Sequence, residues 1–211
     1  MRLTYRLCHL AASLVAKLLF RHRVLHAERA RHSGPLLIVA NHASYFDPPL
    51  VAISLSTDIH FLARSTLYSN PVARWLFPRL NVVPVDQDKP EVGSLKAVMR
   101  LLKAGQQVLI FPEGQRNLDG KLQPAEAGAG FIAAKTRAAV LPMRIFGAHE
   151  ALPRGEKKIR LRRITVVIGE ILHFTDEECN SGKSAYQELS DRMMRAIAVL
   201  ECPSEFLPKP R

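Results

Sequence analysis

The chain has 211 residues, 47% of them hydrophobic and 23% charged; this size supports one domain with a substantial core, and the composition excludes a disordered or low-complexity chain. Three cysteines, Cys8, Cys179 and Cys202, form no C-x-x-C pair, which argues against a disulfide framework or a zinc ribbon and fits a reducing compartment. A formal net charge of +11 asks for an anionic partner: nucleic acid, phospholipid headgroups or a phosphorylated substrate.

The first element is the run from Leu7 to Phe20, apolar apart from His9, Ser13 and Lys17. As a helix of about 14 residues it reaches roughly 21 Å, short of a ~30 Å hydrocarbon core, so it is expected to lie on a membrane rather than cross it. Leu7, Leu10, Ala11, Leu14, Val15, Leu18 and Leu19 recur at helical spacing, while Arg2, Arg6, Lys17, Arg21, Arg23, Arg29 and Arg31 are placed to meet anionic lipid. The alternative is an amphipathic helix packed against the domain. Phe20-Arg21-His22-Arg23 offers no small-residue cleavage site, which argues against a secretory signal.

Pro35 to Ala40 reads as a buried strand. The run after it ends in Asp47-Pro48-Pro49, an N-cap followed by proline in the first turn, and predicts a helix over Leu50 to Leu55. A second helix fits Val92 to Lys103, with Val92, Leu95, Val98, Met99 and Leu102 as its apolar stripe and Gly105 as its stop. The strand Gln107 to Phe111, a helix over Ala125 to Arg137 and a strand from Ala139 to Met143 follow in turn. Ile164 to Gly169 is a further strand, and Ser184 with Gln187 resembles a capping box opening a last helix to Leu200. A second basic run occupies Lys157, Lys158, Arg160, Arg162 and Arg163, which alone reads equally well as a solvated face.

Alternating helices and strands predict a single α/β domain with a mostly parallel mixed sheet flanked by helices, preceded by an amphipathic membrane-surface helix. The expected organisation is a membrane-associating segment over 1–23, the α/β domain over 24–202 and an irregular Pro-rich tail over 203–211. Three clusters each follow an apolar, strand-like run, and sites in such sheets form beyond the carboxyl ends of strands. They are Asn41-His42-Ala43-Ser44-Tyr45-Phe46-Asp47, Phe111-Pro112-Glu113-Gly114-Gln115-Arg116 and Val140-Leu141-Pro142, and they are expected to converge on one crevice.

His42 and Asp47 are five residues apart, a spacing that a loop entering a helix closes so that the carboxylate accepts the Nδ1 proton and leaves Nε2 as a base for a hydroxyl. Asp47 has an alternative as a helix cap, and both roles can coexist because a carboxylate has several acceptor sites. Asn41 stands where it can either finish the turn or reach a substrate. Arg116 is suited to bidentate phosphate binding, the alternative being a surface ion pair with Glu113 or Asp119.

Read together, NHASYFDPP at 41–49, FPEGQRN at 111–117 and Val140-Leu141-Pro142 resemble, in order and spacing, the N-H-x4-D, F-P-E-G-[TS]-R and V-x-P blocks of the glycerophospholipid acyltransferase family. The resemblance covers about Leu36 to Leu172. It implies transfer of an acyl group from acyl-CoA or acyl carrier protein to a glycerol hydroxyl, with lysophosphatidate as acceptor and phosphatidate as product. His42 is then the base and Asp47 its partner, Glu113, Gly114 and Arg116 belong to acceptor binding, and Arg64 falls where the family has a cation. The chain differs from the family at Asn81, where a Gly is usual, at Gln87, where an Arg is usual, and at Gln115, where a Thr or Ser is usual.

No cofactor or metal is implied, and the absence of a G-x-S-x-G elbow fits direct attack on the thioester. The expected setting is the cytoplasmic face of an anionic phospholipid membrane, with peripheral or monotopic attachment. Another lysophospholipid, a lyso-aminolipid or glycerol 3-phosphate is the alternative acceptor. A hydrolase would use the same dyad on water and release free fatty acid, and a nucleic-acid module lacks any recognised signature in this sequence. Phe61, Leu62, Leu67, Tyr68, Trp75, Leu76 and Phe77 form the richest apolar stretch for an acyl chain.

Overall fold

The computed structural model describes residues 3–85 and 90–208, so Gln87 lies outside the described residues. Its helices are α1 (Leu3–Phe20), α2 (Asp47–Ile53), α3 (Pro71–Leu76), α4 (Pro90–Lys103), α5 (Gly128–Thr136), α6 (Ala148–Ala151), α7 (Asp176–Asn180) and α8 (Lys183–Ala198). Its strands are β1 (Arg23–Leu25), β2 (Leu36–Ala40), β3 (His60–Arg64), β4 (Val82–Val85), β5 (Gln107–Ile110), β6 (Ala139–Phe146) and β7 (Thr165–Ile168). They form one sheet in the order β1-β7-β6-β2-β5-β3-β4, with every neighbouring pair parallel except β6 and β7. The mostly parallel mixed sheet expected from the alternation of elements is therefore present.

Strand β2 shows why the sheet is covered on both sides. All five of its residues are buried, and the twofold alternation of a strand sends Leu36, Ile38 and Ala40 to one face and Leu37 and Val39 to the other. The first set packs with Leu50, Val51 and Leu55 of the α2 region. The second meets Val98 and Leu102 of α4, Ile132 and Ala133 of α5, and Met193 and Ile197 of α8.

Helix α1 begins four residues before the expected start, and its 18 residues span about 27 Å. By length and composition alone it is long and apolar enough to cross a membrane. It nevertheless lies against the domain: Tyr5, Ala16 and Phe20 are buried, and the Tyr5 hydroxyl accepts a bond from Ile59 N at 3.3 Å. His9 Nε2 sits 3.1 Å from Leu55 O. These residues, spaced four and seven apart along one face, dock the helix, and the leucine stripe, Leu7, Leu10, Leu14, Val15, Leu18 and Leu19, stays exposed.

Two expectations are corrected. Val140-Leu141-Pro142 does not stand at a strand end but lies buried within β6, which continues to Phe146. Val140 and Leu172 exchange both backbone hydrogen bonds, so Pro142, two residues on, faces the same side, away from β2; its O accepts from Gly169 N at 2.8 Å, and its nitrogen, without a proton, returns no bond at the end of β7. Ser184 and Gln187 do not cap α8. The chain reverses at Gly182, with φ 88, and the helix starts directly after it, leaving Gln187 Nε2 to donate to Ala125 O at 2.9 Å. The capping box belongs instead to α7, where Thr175 and Glu178 bond each other's backbone N–H.

Between α8 and residue 208 the chain is irregular apart from one turn of 3-10 helix at Ser204–Phe206. It returns to the sheet: Thr165 Oγ1 donates to Phe206 O at 2.9 Å, and the Arg23 guanidinium lies over the Phe206 ring.

Candidate functional site

Strands β2, β5, β3 and β6 run parallel, so their carboxyl ends share one edge of the sheet, and β2 lies between β5 and β6 where the chain order changes direction. The loop after β2 carries His42, the loop after β5 carries Glu113 to Arg116, and β3 ends at Arg64. The first two expected clusters thus meet, and the third element reaches the edge through the far end of β6.

His42 Nδ1 lies 2.8 Å from Asp47 Oδ2. An ionised carboxylate only accepts, so the shared proton sits on the imidazole Nδ1 and Nε2 is left with its lone pair. Asp47 is fully buried and does not cap α2 with its side chain. The prolines at 48 and 49 leave the first turn few N–H donors, and Oδ2 instead accepts from Ala43 N and Ser44 N, both at 2.7 Å. Three bonds into one oxygen fix the loop and the imidazole together. The ring stacks on Phe111, centroids 3.8 Å apart and planes within 10°.

Glu113 was expected on the acceptor, but its side chain turns inward. Oε1 accepts from His42 N at 2.8 Å, and Oε2 from Gln123 N at 3.2 Å and Asn117 Nδ2 at 3.4 Å. Burial pushes its carboxyl above the usual range, against the pull of these donors. The geometry is that of a brace holding the His42 loop to the β5 loop, which Asn117 N also ties to His42 O at 2.9 Å. Asn41 is a brace as well: Oδ1 accepts from Ile145 N at 2.7 Å and Nδ2 donates to Ile145 O at 3.1 Å, clasping the β2 loop to β6. Gly114 supplies the positive φ of 71 that the turn requires, and a Cβ there would press on Glu126 at 3.0 Å.

Arg116 lies over the exposed Tyr45, its guanidinium carbon 3.5 Å from the ring centroid. Its Nη1 is buried without a hydrogen-bond partner among the described residues, an uncompensated donor that an anion would satisfy. Arg154, which sequence patterns did not bring out, donates from Nη1 to Arg116 O at 2.6 Å. The Tyr45 phenol is lowered from its ordinary value by Arg116 first, through a hydrogen bond and its charge, and then by the charges of Arg154 and Arg64. Three guanidinium groups from β3, the β5 loop and the segment after α6 therefore gather around one exposed ring. That field suits a phosphate dianion.

Of the expected acyl-chain stretch, only Phe61 lines the apolar cavity of about 90 Å³ that lies under α1, with Tyr5, Ala12, Pro49, Ile53 and Leu80 among its walls. Asn81, which takes the place of a usual glycine, has φ 57, a left-handed conformation that asparagine tolerates better than other side chains.

A family model described as "Acyltransferase" matches residues 21–146. The chain is 33% identical over 162 residues to the chloroplastic 1-acyl-sn-glycerol-3-phosphate acyltransferase LPAT1 of Arabidopsis thaliana, covering 74% of this chain and 45% of that protein. The chloroplastic BAT2 of Brassica napus is 36% identical over 127 residues, with 37% of its length covered. The chain thus spans less than half the length of these two plant relatives. The 1-acyl-sn-glycerol-3-phosphate acyltransferase of Bacillus subtilis (strain 168) is 25% identical over 198 residues, 93% of this chain and 96% of that protein. The fold is similar to the crystal structure of the 1-acyl-sn-glycerophosphate acyltransferase PlsC from Thermotoga maritima, with a TM-score of 0.71 and 24% identity over 94% of this chain and 83% of that one.

Proposed function

Because the chain belongs to the acyltransferase family, we propose that it moves a fatty acyl group from a thioester of coenzyme A or acyl carrier protein to the free hydroxyl of 1-acyl-sn-glycerol 3-phosphate, forming phosphatidate. The relatives named as 1-acyl-sn-glycerol-3-phosphate acyltransferases support this acceptor. The observation that carries the chemistry is the 2.8 Å contact of His42 Nδ1 with the buried Asp47 carboxylate.

In this reading His42 Nε2 takes the hydroxyl proton as the acceptor oxygen bonds to the thioester carbonyl carbon. The tetrahedral intermediate then collapses, the carbon–sulfur bond breaks, and the leaving thiolate takes the proton back from the imidazolium. Asp47 holds the ring and stabilises its cationic form. Arg116 and Arg64 hold the acceptor phosphate, while Glu113 and Asn41 keep the loops in register. The exposed leucines of α1 rest in the surface of an anionic membrane, with peripheral or monotopic attachment at its cytoplasmic face. No cofactor or metal enters these steps.

Assay of lysophosphatidate acylation by wild type and His42→Ala, with acyl-CoA and with acyl carrier protein as donors, tests the proposal. Loss of about 10²–10⁴-fold in turnover is expected. Equal turnover by the two proteins removes His42 as base, and release of free fatty acid without an acceptor marks a hydrolase.

A further inference from the structure

Between α6 and β7 the chain passes without regular structure through Lys157-Lys158-Ile159-Arg160-Leu161-Arg162-Arg163. Ile159 and Leu161 are 52% and 65% exposed, and Lys157 and Lys158 are exposed beside them. Arg160 is engaged by Glu156 and Arg163 by Glu205 O, contacts that hold the strip in place while the lysines and the two apolar residues face outward.

The two ends of the strip give it meaning. At one end it leaves the catalytic mouth: Ser44 Oγ donates to Leu152 O at 2.9 Å, Ser44 pairs with Pro153, and Arg154 bonds Arg116 O. At the other it meets the end of α1, where Ile164 N donates to Phe20 O at 3.0 Å and Arg23 N donates to Ile164 O at 3.1 Å. The exposed leucines of α1, the strip and the mouth thus follow one another along a single edge of the molecule.

We propose that residues 157–163 are a second membrane contact, selective for anionic lipid, which with α1 sets the His42 mouth against the bilayer surface. Lys157 and Lys158 meet headgroup phosphates, and Ile159 and Leu161 enter the boundary between headgroups and acyl chains. An acidic carrier protein is the rival occupant by charge alone. The bilayer fits better because the strip alternates its cations with exposed apolar side chains and runs towards the exposed leucine stripe of α1, Leu7, Leu10, Leu14 and Leu18, which an acidic surface does not complement. The proposal rests on the acyltransferase reading only in placing a lipid acceptor at the mouth; the docking itself does not depend on it.

The test uses the full chain, wild type beside Lys157→Glu/Lys158→Glu and Ile159→Ser/Leu161→Ser, with thermal melts as a check on folding. Flotation with phosphatidylcholine vesicles, with and without roughly one-third phosphatidylglycerol, reads binding; the charge-reversed pair is expected to lose about tenfold or more on anionic vesicles and little on neutral ones. The serine pair is expected to weaken binding to both. Acylation of vesicle-borne lysophosphatidate should fall in step, with acylation of a short-chain, water-soluble lysophosphatidate by acyl-CoA unchanged. Vesicle binding that neither variant alters overturns the proposal. So does a defect confined to reactions fed by acyl carrier protein, which assigns the strip to the donor. If wild type acylates neither acceptor, the catalytic reading fails while flotation still decides the docking.

Discussion

Arg154 is the residue that most changes the picture of the site. Its bond to Arg116 O and its charge beside Tyr45 make it a positioning residue for the guanidinium proposed to hold the acceptor phosphate. Arg154→Met is expected to raise KM for lysophosphatidate about tenfold with a smaller change in kcat, the loss of one charge-assisted bond. KM for an acceptor without phosphate should stay put, a split that steady-state kinetics with monoacylglycerol and lysophosphatidate reads directly. The contact of His42 with Asp47 was legible in the sequence because the two lie only five positions apart and one turn closes the gap. Arg154 was not, because 38 residues separate it from Arg116 and only the path of the chain after β6 brings it back. Glu113 was legible as an acid near the edge, but whether a carboxylate faces a ligand or a backbone N–H depends on what buries it, and that is not a local property of FPEGQRN.

At the scale of elements, the strongly buried strands and long helices were readable from their periodicity, and the weak ones were not. β1 has three residues, and β4 is an edge strand, Val82–Val85, with an exposed Pro84 in its four. Neither carries enough alternation to stand out, and both are held by their neighbours. The sequence likewise shows Gly130 only as a small residue in a small-residue helix. In the structure a Cβ there would fall 1.9 Å from Tyr186 O, because α5 and α8 cross backbone to backbone at that point. Gly130→Ala is therefore expected to destabilise by about 1–3 kcal/mol in urea unfolding. Gly93→Ala, in α4 with nothing within 4 Å of the new Cβ, is expected to stabilise by about 0.5–1 kcal/mol. Opposite signs from the same substitution separate close approach from helix propensity.

Across the whole molecule, the join between α1 and the domain is sensitive to acid. His22 follows α1, its Nε2 3.4 Å from Ser54 Oγ, and burial lowers its imidazole from 6.5 to about 4. The folded protein thus keeps it neutral where the unfolded chain takes a proton. The stabilisation is complete above about 6.5 and is lost as pH falls towards 4, up to about 3 kcal/mol. Urea titrations of wild type and His22→Gln across this range should converge with falling pH, the variant lacking that slope. The charge of +11 and its contiguous run along 157–163 were visible at once, yet the grouping around Tyr45 was not, since Arg64, Arg116 and Arg154 lie far apart in sequence and only the fold brings them together.

The clasp of Asn41 on Ile145, the Glu113 brace and the Ser44 bond to Leu152 O join the β2, β5 and β6 loops through separate links. Amide protons of His42, Asn117 and Ile145 are consequently expected to exchange through a common opening, and hydrogen–deuterium exchange should give the three one shared opening free energy.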